Sequence, residues 1–183
     1  MVNSLRKLLN FKFNFEISLT EIDITELTSI NYTWVMKNTI PPPIVTFICA
    51  LLIYLSKPIF PELIIKYSNQ ISLVFLIFGL VIIIISFQRF KKEKTTINPI
   101  NIEKASSLVT GGIFKYSRNP MYLGMLLILI SITIRFNIYG GILIVGFFVY
   151  FITYFQILPE EKAMLKLFGD DFINYKNKTR RWF

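Results

Sequence analysis

Apolar residues gather into four runs along this chain, separated by stretches where charge and hydroxyls return. The first runs from Ile40 to Leu55 and is opened by Pro41-Pro42-Pro43, the second from Ile71 to Phe87, the third from Met121 to Ile134, and the fourth from Ile138 to Leu158. A helix that crosses the hydrocarbon layer needs about 20 residues. The fourth run meets that length by itself, the first two meet it with their flanks, and the third is short. Only Arg135-Phe136-Asn137 separates the third from the fourth, which predicts a tight helical hairpin. Within the second run, Val81-Ile82-Ile83-Ile84-Ile85 is apolar all round, the mark of a helix that is buried or faces lipid. The pattern predicts an all-α integral membrane protein with about four transmembrane helices.

Composition agrees. Of 183 residues, 54% are hydrophobic, and the mean hydropathy is +0.55. A soluble domain is roughly 45–50% apolar and does not sort its apolar residues into long runs. The net charge of +9 sits between and after those runs, which suits anionic lipid headgroups rather than nucleic acid. Residues 88–119 hold seven Lys/Arg and the tail after Leu158 holds six, against Lys57 and Lys66 in the first loop and Arg135 in the hairpin. The positive-inside rule then predicts a multi-pass protein of the cell (inner) membrane, with both termini and the middle loop cytoplasmic.

Cys49 is the one cysteine and histidine is absent, so a disulfide within one chain, histidine-based metal sites, serine–histidine triads and imidazole catalysis are ruled out. No metal and no nucleic-acid partner are expected. Residues 1–39 differ in kind from the rest. They hold four acids, four bases and an alternating aromatic pattern, with no cleavable signal sequence. We divide the chain into an N-terminal extension of unknown role, 1–39, and a membrane domain, 40–183. Met36, just ahead of the prolines, is an alternative start, which an intact mass containing residues 1–35 would reject.

Two polar stretches lie where membrane helices begin or end. In Arg118-Asn119-Pro120-Met121-Tyr122-Leu123-Gly124, Asn119 fits an N-cap and Pro120 the first helical position. On that reading Arg118 snorkels to the headgroups and Tyr122 joins the interfacial aromatics. It leaves unexplained Thr110-Gly111-Gly112, which bares backbone amides, and Gly124, a small residue that lets another helix or a ligand approach closely. In Leu158-Pro159-Glu160-Glu161, the carboxylates suit a helix N-terminus, with Gly169 ending that helix and Asp170 capping the next. The same anionic pair also suits an ammonium or ribose hydroxyls. The tail ends Arg180-Arg181-Trp182-Phe183; Trp182 and Phe183 have the form of an interfacial anchor, while Arg180 and Arg181 suit an anchor and a functional role equally.

Taken in order, Thr95-Thr96-Ile97-Asn98-Pro99, Leu108-Val109-Thr110, Arg118-Asn119-Pro120-Met121-Tyr122-Leu123-Gly124 and Glu160-Glu161 followed by Phe168-Gly169-Asp170-Asp171-Phe172 and Tyr175 resemble the isoprenylcysteine carboxyl methyltransferase and phospholipid methyltransferase group of membrane enzymes. The Ile40-Pro41-Pro42-Pro43 opening is similar to small bacterial members. The resemblance covers about residues 40–183 and implies an S-adenosylmethionine-dependent methyltransferase. Short cytoplasmic helices would form its cofactor pocket, and a lipophilic or small methyl acceptor would arrive from the bilayer. Carried over motif by motif, cofactor contacts fall on Ser106, Ser107, Leu108, Val109, Phe114, Arg118, Asn119, Pro120, Met121, Tyr122, Glu160 and Glu161. Arg118 would either orient the helix start or meet the methionine carboxylate. Gln156 occupies the position of the arginine held to meet a substrate carboxylate, and Asn119 stands where the eukaryotic isoprenylcysteine enzymes have histidine. No general base is implied. Phospholipid or amine N-methylation, thiol S-methylation, and a non-catalytic membrane subunit are the alternatives on the same scaffold.

Overall fold

A computed structural model describes residues 40–61, 63, 65–93 and 107–183. The expectations for residues 1–39, for Met36, for Thr95–Pro99 and for Ser106 lie outside the described residues. Helix α1 spans Pro42–Leu55, α2 Ser68–Lys92, α3 Pro120–Phe136, α4 Ile138–Ile152 and α5 Leu158–Lys178. Short 3-10 turns occupy Lys57–Ile59 and Gly112–Lys115, and a π turn, Thr153–Ile157, joins α4 to α5. No strand occurs among the described residues, as the all-α expectation required. Three helices are long and apolar enough to cross a membrane: Pro42–Ile59, Ser68–Lys92 and the continuous Ile138–Lys178. The apolar α3 is shorter, at 17 residues, the lower edge of a spanning length.

The helices alternate in direction. Gln156 Nε2 donates to the Ile40 carbonyl at 2.9 Å, so α1 begins where α4 runs into α5. At the other end Asn137 Nδ2 donates to Ser56 Oγ at 3.0 Å, so α1 finishes beside the α3–α4 turn. That hairpin turn is a single residue. Asn137 ends α3 and also caps α4, its Oδ1 accepting from the Gly140 N–H at 3.1 Å.

The core lies between α1, α3 and α4. Val45, Cys49 and Ile53 recur every fourth residue along one stripe of α1 and meet Tyr122, Met125 and Leu129 of α3 and Phe148 and Ile152 of α4. Helix α2 joins on a different rule. Its buried residues are Ser72, Gly79 and Ser86, seven apart, while Val74, Ile77, Phe78, Val81, Ile84 and Ile85 point outward. In lipid, apolar side chains gain nothing by leaving the surface, and small residues are favoured inside because they let backbones close in. A Cβ placed on Gly79 would lie 2.7 Å from the Gly124 carbonyl oxygen, and one on Gly124 would lie 2.7 Å from that of Gly79. Ser131 Oγ adds a hydrogen bond to the Ser72 carbonyl at 2.7 Å.

The junction of α4 and α5 explains how the acidic pair is aimed. Residues 138–159 carry no charged side chain, and this is the membrane-spanning part of the long helix; Glu160 and Glu161 follow directly. Pro159 has no N–H, and its ring would crowd the carbonyl four residues back. The chain relaxes into a π turn there, with the Leu158 N–H bonding the Thr153 carbonyl one residue farther back than in an α-helix. Gln156 and Ile157 are consequently buried in succession, and Glu161 turns inward. Gly169, at φ 47° and ψ −122°, breaks the helical geometry of α5, as its place in the sequence predicts.

Candidate functional site

The two polar stretches of the sequence come together at the end of the bundle where α3 begins. Pro120 opens α3, with Asn119 in the N-cap position, but the Asn119 side chain does not cap the helix. Its Nδ2 donates instead to the Arg181 carbonyl at 2.9 Å. Ser117 Oγ accepts from the Asn119 N–H at 3.1 Å, a local turn that holds the entry to α3.

Each member of the acidic pair has a different partner. Glu161 is buried at 8% exposure and accepts from Arg118 Nη2 at 2.7 Å and, through both oxygens, from Arg181 at 3.0 and 2.9 Å. Burial raises the pKa of this carboxyl, but hydrogen bonds from Arg181 and then Arg118 outweigh it, and the group lies below its usual range. Glu160, half-buried, accepts from the Tyr122 hydroxyl, and its second oxygen has no partner among the described residues. Burial pushes its pKa up to about 7, against the lowering effect of the Tyr122 hydrogen bond and with a further rise from the Glu161 charge. Adjacent residues on one helix therefore hold a fixed anion and a titratable one.

Both terminal nitrogens of Arg118 are engaged, while its buried Nε has no hydrogen-bond partner among the described residues. Its Nη1 donates to the Lys176 carbonyl at 3.1 Å and to the Thr179 carbonyl, while Nη2 holds Glu161. It does not snorkel to headgroups, since its side chain is only 9% exposed. Tyr122, the other residue offered an interfacial role, is likewise buried. Breaking a buried ion pair of this kind strands the partner charge and costs about 3–5 kcal/mol.

The loop before α3 is anchored by a second apolar cluster. Val109 and Phe114 pack with Phe172 and Tyr175 of α5, with Leu108, Ile113, Met164 and Phe168 against them. Phe90, in the last turns of α2, presents its ring edge to Phe114 at 5.1 Å between centroids. Tyr175 donates its hydroxyl to the Phe114 carbonyl at 2.7 Å. Ser107 Oγ donates to the Glu93 carbonyl at 3.3 Å. Gly111 lies over the Arg89 guanidinium, and a Cβ there would come within 2.3 Å of Arg89 Nη2.

Among the residues drawn from the resemblance, Arg118, Asn119, Tyr122, Glu160 and Glu161 thus share one linked network. Pro120 is buried and Met121 half-buried in the first turn of α3. Leu108, Val109 and Phe114 form the neighbouring apolar wall. Gln156 is 2% exposed and bonded to the start of α1. Sequence reasoning did not foresee that the tail bonds to the entry of α3. Arg118 N–H donates to the Arg180 carbonyl at 3.0 Å, Ser117 and Arg180 form a parallel bridge, and Thr179 Oγ1 donates to the Lys115 carbonyl at 3.4 Å. Trp182, read as an anchor, packs against the core cluster that contains Tyr122, whereas Phe183 is 75% exposed. These pairings join residues about sixty apart, and nothing local in the sequence signals them.

An uncharacterized protein of Haemophilus influenzae is 42% identical to this chain over 62 residues, 34% of this chain and 98% of that protein. No solved structure matches the chain. The phospholipid methyltransferase family model matches residues 68–171, from the first residue of α2 through the α3 motif and the acidic pair to just beyond Gly169. With more than half its length inside that match, the chain belongs to the phospholipid methyltransferase family.

Proposed function

We propose that this membrane methyltransferase takes its methyl group from S-adenosylmethionine, bound where the start of α3 meets α5. The observation that supports this most is the acidic pair drawn onto Arg118 and Tyr122. It leaves Glu160 as a half-buried carboxylate with one oxygen uncommitted among the described residues. That donor set fits a cationic ligand bearing an ammonium and ribose hydroxyls. A sulfonium methyl is already activated, so the ligand supplies the electrophile. The chain's residues have binding, alignment and exclusion of water left to do. Glu160 accepts polar hydrogens of the ligand, the Tyr122 hydroxyl fixes the direction of that carboxylate, and the apolar wall of Leu108, Val109 and Phe114 keeps water out. Asn119 and the start of α3 position these groups and do not transfer protons.

The acceptor, on this reading, is a nucleophile that enters from lipid. A phospholipid amine is favoured over a prenylcysteine carboxylate, because Gln156 brings no positive charge and its amide is engaged with Ile40. Both chain termini and the site would face the cytoplasm of a cell whose inner membrane holds the protein, in keeping with the cations gathered at that end. Titration of S-adenosylmethionine into the protein in lipid nanodiscs, beside Glu160→Ala and Tyr122→Ala, tests the site. Affinity unchanged in both variants would sink it. Labelled methyl transfer into a lipid extract, run against thiols and prenylcysteine analogues, tests the acceptor, and product only in the latter two would overturn the amine.

A further inference from the structure

The C-terminal residues are not a loose anchor. Residues 179–182 cross the entry to α3 as a strap, tied at Lys115, Ser117, Arg118 and Asn119 by hydrogen bonds to or from Thr179, Arg180 and Arg181. The strap delivers one side chain to the site: Arg181, whose Nε and Nη2 grip the two oxygens of Glu161 at 3.0 and 2.9 Å. Arg118 holds the same carboxylate from the α3 side at 2.7 Å. We propose that Arg181 is a positioning residue for donor binding: by fixing Glu161 against Arg118 it sets the first turns of α5 so that Glu160 meets Tyr122 and faces the ligand. This rests on the donor site proposed above.

The physical case is one of geometry. A carboxylate gripped by a planar guanidinium through two parallel bonds cannot rotate, and the helix that carries it is fixed in rotation as well. Just ahead of the pair lies the π turn, a break in the regular helical register of a kind often found at functional sites. The clamp on Glu161 fixes the helix immediately after it. Glu161 held inward leaves its neighbour, about 100° around the helix, turned toward Tyr122. Among the described residues the side-chain hydrogen bonds of Arg181 go to Glu161, so it acts through the acidic pair.

The test is a double-mutant cycle on S-adenosylmethionine affinity in nanodiscs, using the full chain. Arg181→Ala is expected to weaken binding about tenfold, the scale of a lost charge-assisted bond at a site it orders. Arg181→Lys, which keeps the charge and loses the second bond, is expected to recover part of the loss. In a Glu160→Gln background the same Arg181→Ala change is expected to cost less than about twofold, because the carboxylate it positions is gone. Equal loss in both backgrounds, or wild-type affinity in Arg181→Ala, overturns the proposal. Should Arg181→Ala fail to fold, the same cycle run with Arg181→Lys decides the matter by the same criterion. A wild-type protein that binds no donor would fail at the earlier step, the proposed function itself.

Discussion

The pairing of Tyr122 with Glu160 joins α3 to α5 through one phenol and one carboxylate, and both residues are expected to report on it. Tyr122→Phe keeps the ring and its packing against the core but leaves Glu160 without a donor. Loss of a hydrogen bond to a charged group costs about 1.5–3 kcal/mol of stability, so the melting temperature is expected to fall, and donor affinity is expected to fall as well because Glu160 loses the group that orients it. Titration by calorimetry checks it, and unchanged affinity would reject the role. A pH series makes a separate demand. Burial holds the Glu160 pKa near 7, facing the Tyr122 hydroxyl and the Glu161 carboxylate already neutralised by Arg118 and Arg181. Above that value the carboxylate is charged and attracts a cationic ligand; below it the group is neutral. Donor affinity is therefore expected to rise as pH increases through about 7 in the wild type and to stay flat in Glu160→Gln. Stability runs the other way, since a carboxyl whose folded pKa is raised loses stabilisation as pH climbs from its unfolded value through the folded one. An affinity that falls across this window would contradict the assignment.

At the level of elements, α2 and α3 depend on backbone contact. Gly124→Val puts side-chain atoms where the Gly79 carbonyl and the Ile83 side chain already stand, with a Cβ 2.7 and 2.6 Å from them. Ile83 can turn, but the backbone oxygen cannot. The expected cost is about 1–3 kcal/mol, read as a lower melting temperature in detergent, and donor affinity should weaken as well because Tyr122 lies one half-turn away. Gly146→Val, at a position with nothing within 4 Å, is the matched control and should melt as the wild type. This division between the two glycines shows what the sequence can and cannot disclose. Length and apolarity alone locate all four apolar helices, and Asn119-Pro120 marks the start of α3. Gly124 stands out as a small residue one turn inside the bilayer, but its partner Gly79 sits in an apolar run with no signal of its own. The acidic pair is likewise visible as a place to look, while the sharing-out of roles between Glu160 and Glu161 depends on Arg181, twenty residues on. A run ending Arg-Arg-Trp-Phe has the composition of an anchor whether or not it folds back.

For the molecule as a whole, the site, the strap and most of the described cations sit at one end of the bundle. Arg89, Lys91, Lys92, Lys115 and the Lys/Arg residues of α5 and the tail lie there, while Lys57, Lys66 and Arg135 belong to the other. A cytoplasmic leaflet rich in anionic lipid rewards that arrangement by about 1 kcal/mol for each cation near the surface. The same asymmetry makes the orientation measurable. Cys49 is buried at 1% exposure, so the native thiol is a silent background for labelling. Lys178 at the end of α5 and Lys66 between α1 and α2 are both exposed and mark the two ends. A membrane-impermeant maleimide applied to intact cells is expected to label Lys66→Cys and to spare Lys178→Cys until the membrane is opened. The reverse pattern would put the acidic pair on the face away from the cell's pool of S-adenosylmethionine, and a donor site at the start of α3 would then have nothing to bind.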